Sequence, residues 1–306
     1  MEFRTPPSLG PGSLVAVVAP ASPFDRDALL PGLAWLRTRY RLRLSGLILT
    51  RTGYLAGDDA RRAAELARAM VDPEVEAIVC ARGGYGAMRI LDALPWDAFL
   101  ERPKWIAGFS DITALHLEML GRGVCGLHSM NVTGMGSGIT ALERLAFIDA
   151  LEGRSRTTWD RLEVLHAGTS AGSALVRGPV VGGNLALVVS MAAAHRFAVP
   201  EGAIVVLEDV TERPYRVDRM LTSLRLGRHF ARAAAIVFGG FTACETAADG
   251  ITVTEVLRER TADLSIPVLA GAPFGHGAPN DPFVLGATAT IDGTTMRFDR
   301  SPLLAT

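Results

Sequence analysis

Three cysteines are all the chain contains, Cys80, Cys125 and Cys244. They are far apart, odd in number and without CxxC spacing, which excludes a disulfide framework and a structural zinc site. Cys80 lies in an apolar run and reads as a buried free thiol. The six histidines show no HxxxH or HxxEH spacing either, so no metal is expected. There is no basic excess: 31 Lys and Arg stand against 32 Asp and Glu. A nucleic-acid binder carries a basic surplus or stripe, so that class is set aside. Long apolar runs are also missing. Leu185 to Ala194 is the longest and is too short to span a bilayer. The opening MEFRTPPSLGPGS has no apolar core of a signal peptide. These absences lead to the expectation of a soluble intracellular protein with no membrane and no nucleic-acid partner. No internal repeat and no low-complexity tract is present.

What is there fits a globular protein. Hydrophobic residues make up 49% and charged residues 21% of 306 residues, enough for a large core in one big domain or two ordinary ones. In the first half, short β-branched runs alternate with amphipathic segments. Leu14–Ala19, Val75–Cys80 and Lys104–Ala107 read as buried strands. Asp25–Arg39, Asp58–Met70 and Ile112–Leu120 read as helices, the second opened by capping aspartates. Strand, tight turn, helix, repeated, predicts an α/β fold with a parallel sheet. Residues 154–177, rich in Ser, Thr, Gly and Arg, read as a linker between a first domain of residues 1–153 and a second of 178–306. The second half predicts helices at Asn184–Ala194 and Pro214–Leu226, and strands at Ala203–Leu207 and Ala235–Phe238.

Two glycine-bearing turns follow strands in the first half. Gly108-Phe109-Ser110-Asp111 lies between strand and helix, where a serine projects its hydroxyl outward and the first helix amides face it. It lacks the second glycine of GxSxG, and a serine before a helix is commonly an N-cap. Arg82-Gly83-Gly84-Tyr85-Gly86 is the other turn. Carboxyl ends of neighbouring parallel strands share one crevice, so the two turns face the same cleft, and the amides of Gly84 and Asp111 are candidate oxyanion donors. A phosphate-binding or structural turn is the alternative, although the spacing matches neither the P-loop nor GxGxxG.

A serine hydrolase needs a base. His116 falls inside a helix, His128 ends a strand, His166 and His195 lie in polar edges, and His229 lies near a helix end. His276, in Pro273-Phe274-Gly275-His276-Gly277, has glycines that free its ring to enter a cleft. Glu208, where the run Ile204–Leu207 stops, is a candidate orienting acid, a solvated strand end being the alternative, with Glu212 and Asp218 as competitors. Asp218 and Arg219 also read as a simple helix ion pair.

Taken in order, ARGGYGAMRILD, GFSD with ITALH, GGNL, LEDVTERPYRVDRML and PVLAGAPFGHG resemble the LD-carboxypeptidases, the muramoyltetrapeptide carboxypeptidases, whose family includes the microcin-C immunity peptidases. The resemblance spans about residues 13–295. It implies an N-terminal flavodoxin-like domain of the class I glutamine amidotransferase kind and a C-terminal swivelling β/β/α domain. It implies a metal-free, cofactor-free Ser110-His276-Glu208 triad formed between the domains, with Gly84 and Asp111 as the oxyanion hole, in a cytoplasmic homodimer. The implied substrate is a peptide or muropeptide, the murein tetrapeptide, from which terminal D-alanine is released in wall recycling. The alternatives are an aminoacyl-nucleotide conjugate and an inactive peptide-binding module. A carboxypeptidase must hold a free carboxylate, for which Arg82 and Arg219 are candidates. The chain departs from many relatives at His128-Ser129-Met130 and at Ala193-Ala194-His195, segments expected to shape the pocket.

Overall fold

The computed structural model describes residues 3–136, 139–155, 157–168, 175–244 and 250–299. Its strands, in chain order, begin with β1 (Leu14–Val18), β2 (Arg41–Leu44), β3 (Ala77–Cys80), β4 (Trp105–Gly108) and β5 (Gly126–His128). Then come β6 (Thr158–Trp159), β7 (Glu163–His166), β8 (Val176–Asn184), β9 (Ala203–Val210) and β10 (Ala233–Thr242). The last strands among the described residues are β11 (Val268–Ala270), β12 (Phe283–Leu285), β13 (Thr288–Asp292) and β14 (Thr295–Phe298). Two compact units divide the chain. One holds Glu2–Ser155 and Pro282–Val284; the other holds Arg156–Asp281 and Leu285–Arg300.

The first unit is built on a six-stranded sheet ordered β12-β5-β4-β3-β1-β2. β1 to β5 are parallel where their registers are defined, and their order 2-1-3-4-5 is the doubly wound flavodoxin arrangement. Every residue of β1, β3 and β4 is buried, which is why LVAVV, AIVC and WIAG are unbroken apolar runs rather than alternating ones. β2, RLRL, is the edge strand and keeps its arginines toward water. The helix Asp59–Val71 starts where Asp58 accepts the Arg61 N–H at 2.7 Å, and it buries Ala63, Leu66, Ala69 and Met70.

The second unit carries an eight-stranded mixed sheet, β6-β14-β13-β8-β9-β10-β11-β7. Its centre, β8 to β11, is parallel, and antiparallel strands flank it on both sides. The stretch 154–177 contains β6, β7 and the start of β8. Here polar composition is a matter of edge position: Glu163 and Val164 of β7 are exposed on the sheet's outermost strand. β10 runs from Ala233 to Thr242, past the apolar stop at Phe238, because a register shift between Phe238 and Phe241 lets its glycines continue along β9. The helix Pro214–Leu226 has proline at its first turn, where a missing N–H costs nothing.

Candidate active site

In the first unit the order of the sheet reverses beside β1, and a doubly wound sheet holds its ligands outside the strand carboxyl ends at that point. The turns after β1, β3 and β4 meet there. Ser110, two residues past β4, has φ +65°, a left-handed conformation that a side-chain-bearing residue seldom adopts. It is half-buried, and neither it nor any neighbour caps the following helix through a side chain. Ser110 is therefore not the N-cap that its sequence context allows. Gly83 packs directly on it: a Cβ at Gly83 would lie 2.8 Å from Ser110 Cβ and 3.1 Å from its Oγ. Ser22, after β1, donates its N–H to the Gly83 carbonyl at 3.1 Å and accepts the Tyr85 N–H on its Oγ at 3.0 Å. Among the described residues the Gly84 N–H between them has no hydrogen-bond partner. Asp111 is buried, accepts the Ala87 N–H at 2.7 Å, and is pushed up to about 6 by that burial.

In the second unit, Glu208 lies on β9 with no exposed surface, and its Oε2 accepts from His276 Nδ1 at 2.7 Å. Gly275 makes that approach possible. Its φ is +124°, and a Cβ there would stand 2.9 Å from Glu208 Oε2. The Gly275 N–H donates to Asn280 Oδ1 at 3.1 Å, which ties the loop that carries His276. Asn184 Nδ2 donates to Asp209 Oδ1 at 3.0 Å and to Glu208 Oε1 at 3.4 Å. Asp209 also accepts the Ala186 N–H at 3.0 Å, and burial pushes its carboxyl up to about 6.

The structure thus brings Ser110, Gly84 and Asp111 together in one unit, and Glu208 and His276 together in the other. Three other histidines are engaged elsewhere. His116 is fully buried with Nε2 3.0 Å from the Ile106 carbonyl, and burial pushes its pKa down to about 4. His128 stacks on Phe283 at 4.6 Å, and His166 Nε2 sits 2.6 Å from the Leu264 carbonyl. Of the competing acids, Glu212 pairs with Arg216 at 2.6 Å, one helical turn on. The ion pair read between Asp218 and Arg219 does not form, because neighbours on a helix point apart. Asp218 faces Arg260 at 3.8 Å, while Arg219 lies over the Tyr215 ring at 5.6 Å. Arg82 is exposed and donates Nη1 to the Pro23 carbonyl at 2.5 Å. Ser129 and Met130 are buried, Ser129 N–H donating to the Gly108 carbonyl at 3.1 Å, whereas Ala193-Ala194-His195 is exposed.

Sequence reasoning missed Ser22, Arg62, Asn184 as a side chain of consequence, and Asp209 as more than a strand end. Arg62 had a signal: it falls in register with Leu66, Ala69 and Met70 on the apolar stripe of its helix, where a charge is out of place. Ser22 had none, since only the sheet brings it to Tyr85.

Two family profiles match the chain: the LD-carboxypeptidase N-terminal domain over residues 15–129, and the LD-carboxypeptidase C-terminal domain over 177–291. A carboxypeptidase-family protein of Synechocystis sp. is 37% identical over 95% of both chains. The murein tetrapeptide carboxypeptidase of Pseudomonas aeruginosa is 32% identical over 93% of this chain and 94% of its own. The crystal structure of muramoyltetrapeptide carboxypeptidase from Oxalobacter formigenes superposes with a TM-score of 0.83. It covers 95% of this chain and all of that one at 24% identity, and so shares the fold.

Proposed function

The chain belongs to the LD-carboxypeptidase family, and from that premise we propose that it is a serine carboxypeptidase acting on the murein tetrapeptide. Ser110 Oγ attacks the carbonyl of the bond between the L-centre and the terminal D-alanine, and its proton passes to His276 Nε2. Glu208 accepts the Nδ1–H, which holds the tautomer and stabilises the imidazolium. The carbonyl oxygen takes up negative charge and is met by the N–H groups of Gly84 and Asp111. The imidazolium then protonates the departing amine, D-alanine leaves, and water, deprotonated by the same ring, returns the acyl group from Ser110 as a free carboxylate.

The observation that carries this reading is the Ser110 backbone. A left-handed non-glycine residue costs of order 1–3 kcal/mol and persists where the surroundings enforce it, typically at a functional turn. Gly83 beneath it and the unpartnered Gly84 N–H beside it support the same role. In this reading the nucleophile belongs to the N-terminal domain and the base and acid to the C-terminal one. Arg82 and Arg219 are the candidate forks for the substrate carboxylate. The protein works in the cytoplasm as a homodimer, which sedimentation equilibrium checks.

Purified protein incubated with murein tetrapeptide is expected to release D-alanine, and Ser110→Ala to release none. Hydrolysis of an aminoacyl-sulfamoyl adenosine with the tetrapeptide untouched would move the substrate to a nucleotide conjugate. Neither substrate turned over at any pH from about 6 to 9, the range in which a histidine base works, would leave a binding module.

A further inference from the structure

The peptide group joining Gly86 to Ala87 is gripped at both ends. Arg62 Nη1 donates to the Gly86 carbonyl at 2.8 Å, and Asp111 Oδ2 accepts the Ala87 N–H at 2.7 Å. These two polar groups belong to one planar unit, so a guanidinium and a carboxylate of opposite charge together set the direction of that plane. Both side chains are buried, Arg62 at 0% exposure and Asp111 at 2%. Arg62 also donates to the Pro20 carbonyl and pairs with Asp59, tying the turn to the end of β1 and to its own helix. Ser22 holds the other side of the turn through Gly83 and Tyr85. Gly84 is the residue left between these anchors.

Burying two charges is a poor way to stabilise a turn, since desolvation consumes most of what their attraction returns. Charge-assisted hydrogen bonds are good at fixing direction. An oxyanion donor has to be aimed before the charge develops, because its advantage lies in needing no reorganisation during the reaction.

We propose that Asp111 and Arg62 are positioning residues: by clamping the Gly86–Ala87 peptide they hold the Gly84 N–H on the line along which it meets the oxyanion. Asp111 couples the two donors, because its N–H is one of them and its carboxylate anchors the turn that carries the other. This inference rests on the reading of Ser110 as nucleophile.

Asp111→Ala and Asp111→Asn separate positioning from bulk structure. Asparagine keeps an oxygen that can accept the Ala87 N–H; alanine keeps only the backbone. With the tetrapeptide, Asp111→Ala is expected to lower kcat about 10²–10³-fold while KM stays within about threefold, the pattern of an interaction made only in the transition state. Asp111→Asn is expected to stay within about tenfold of wild type. Labelling of Ser110 by a fluorophosphonate, which also builds charge on an oxygen, should slow in parallel. If Asp111→Ala does not fold by circular dichroism, Arg62→Met serves instead; it removes the donor to the Gly86 carbonyl while keeping apolar bulk, and is expected to cost kcat about tenfold at constant KM. A kcat within about threefold of wild type in the folded variant, a loss that falls on KM, or an asparagine variant as slow as the alanine one would each overturn the clamp. Activity persisting in Ser110→Ala would instead remove the reading beneath it.

Discussion

Gly83 and Ser110 leave no room for a side chain between them: a single added carbon on Gly83 would stand 2.8 Å from Ser110 Cβ and 3.0 Å from the Phe109 carbonyl oxygen. Backbone and serine must give way to any side chain there. Gly83→Ala is therefore expected to leave the fold intact but to displace Ser110. A misplacement on the ångström scale costs about 10²-fold in rate. Steady-state kinetics with the tetrapeptide, beside a thermal melt, checks this; an alanine variant as fast as wild type would show that Ser110 does not depend on that contact.

The acid is distinguished from its competitors by the same kind of measurement. Glu208 has no exposed surface and holds His276 at 2.7 Å. Glu208→Gln should lower kcat by about 10⁴, as when the group orienting a base is lost. Glu212→Gln removes an ion pair with Arg216, and Asp218→Asn one with Arg260; both should stay within about threefold of wild type, since such pairs contribute little. A dead Glu212→Gln beside an active Glu208→Gln would reverse the assignment.

Metal chelation gives an independent check. A serine attack assisted by histidine needs no Lewis acid, and turnover should survive exhaustive dialysis against EDTA. Loss of D-alanine release that zinc restores would contradict the triad.

Acid stability has a local origin at Glu152. Arg39 Nε and Nη2 hold its two oxygens at 2.7 Å each, Tyr40 donates at 3.0 Å and Arg154 adds a further pair. The Arg39 hydrogen bonds lead in drawing the carboxyl down to about 2. Because the folded pKa lies below the unfolded value, the stabilisation is complete above about 4.5 and is lost as pH falls toward 2. Glu152→Gln is expected to melt at least about 3 °C below wild type at pH 7, with the gap closing as pH is lowered through that window. A gap independent of pH would assign the loss to packing.

Asp111 and Asp209 have the opposite sign. Burial lifts each to about 6, so ionising them opposes folding, and their contribution falls as pH rises from about 4 to about 6. Asp209→Asn is expected to flatten the loss of stability across that interval, read as denaturation midpoints at pH 4 and 6.5. An unchanged slope would mean that Asp209 does not titrate there.

Much of this protein was legible in the chain. Buried parallel strands are written as unbroken apolar runs, so β1, β3 and β4 stand out in the first half; Pro214 marks the start of its helix; and GFSD, RGGYG and FGHG place glycines where the backbone must come close or turn left-handed. These are local properties, decided by sterics within a few residues. What the tertiary structure alone decided is what lies across the sheet or across β9. Ser110's left-handed backbone depends on Gly83 from the neighbouring strand end, and the Gly86–Ala87 plane depends on Arg62 from a helix 24 residues away. Glu208, rather than Glu212 or Asp218, reaches His276 because the strand and the Gly275 loop touch at a distance of 68 residues in the chain. The polar edge strands β6 and β7 also had no local signature, since an edge strand in water needs no apolar run to be held, only a partner already in place.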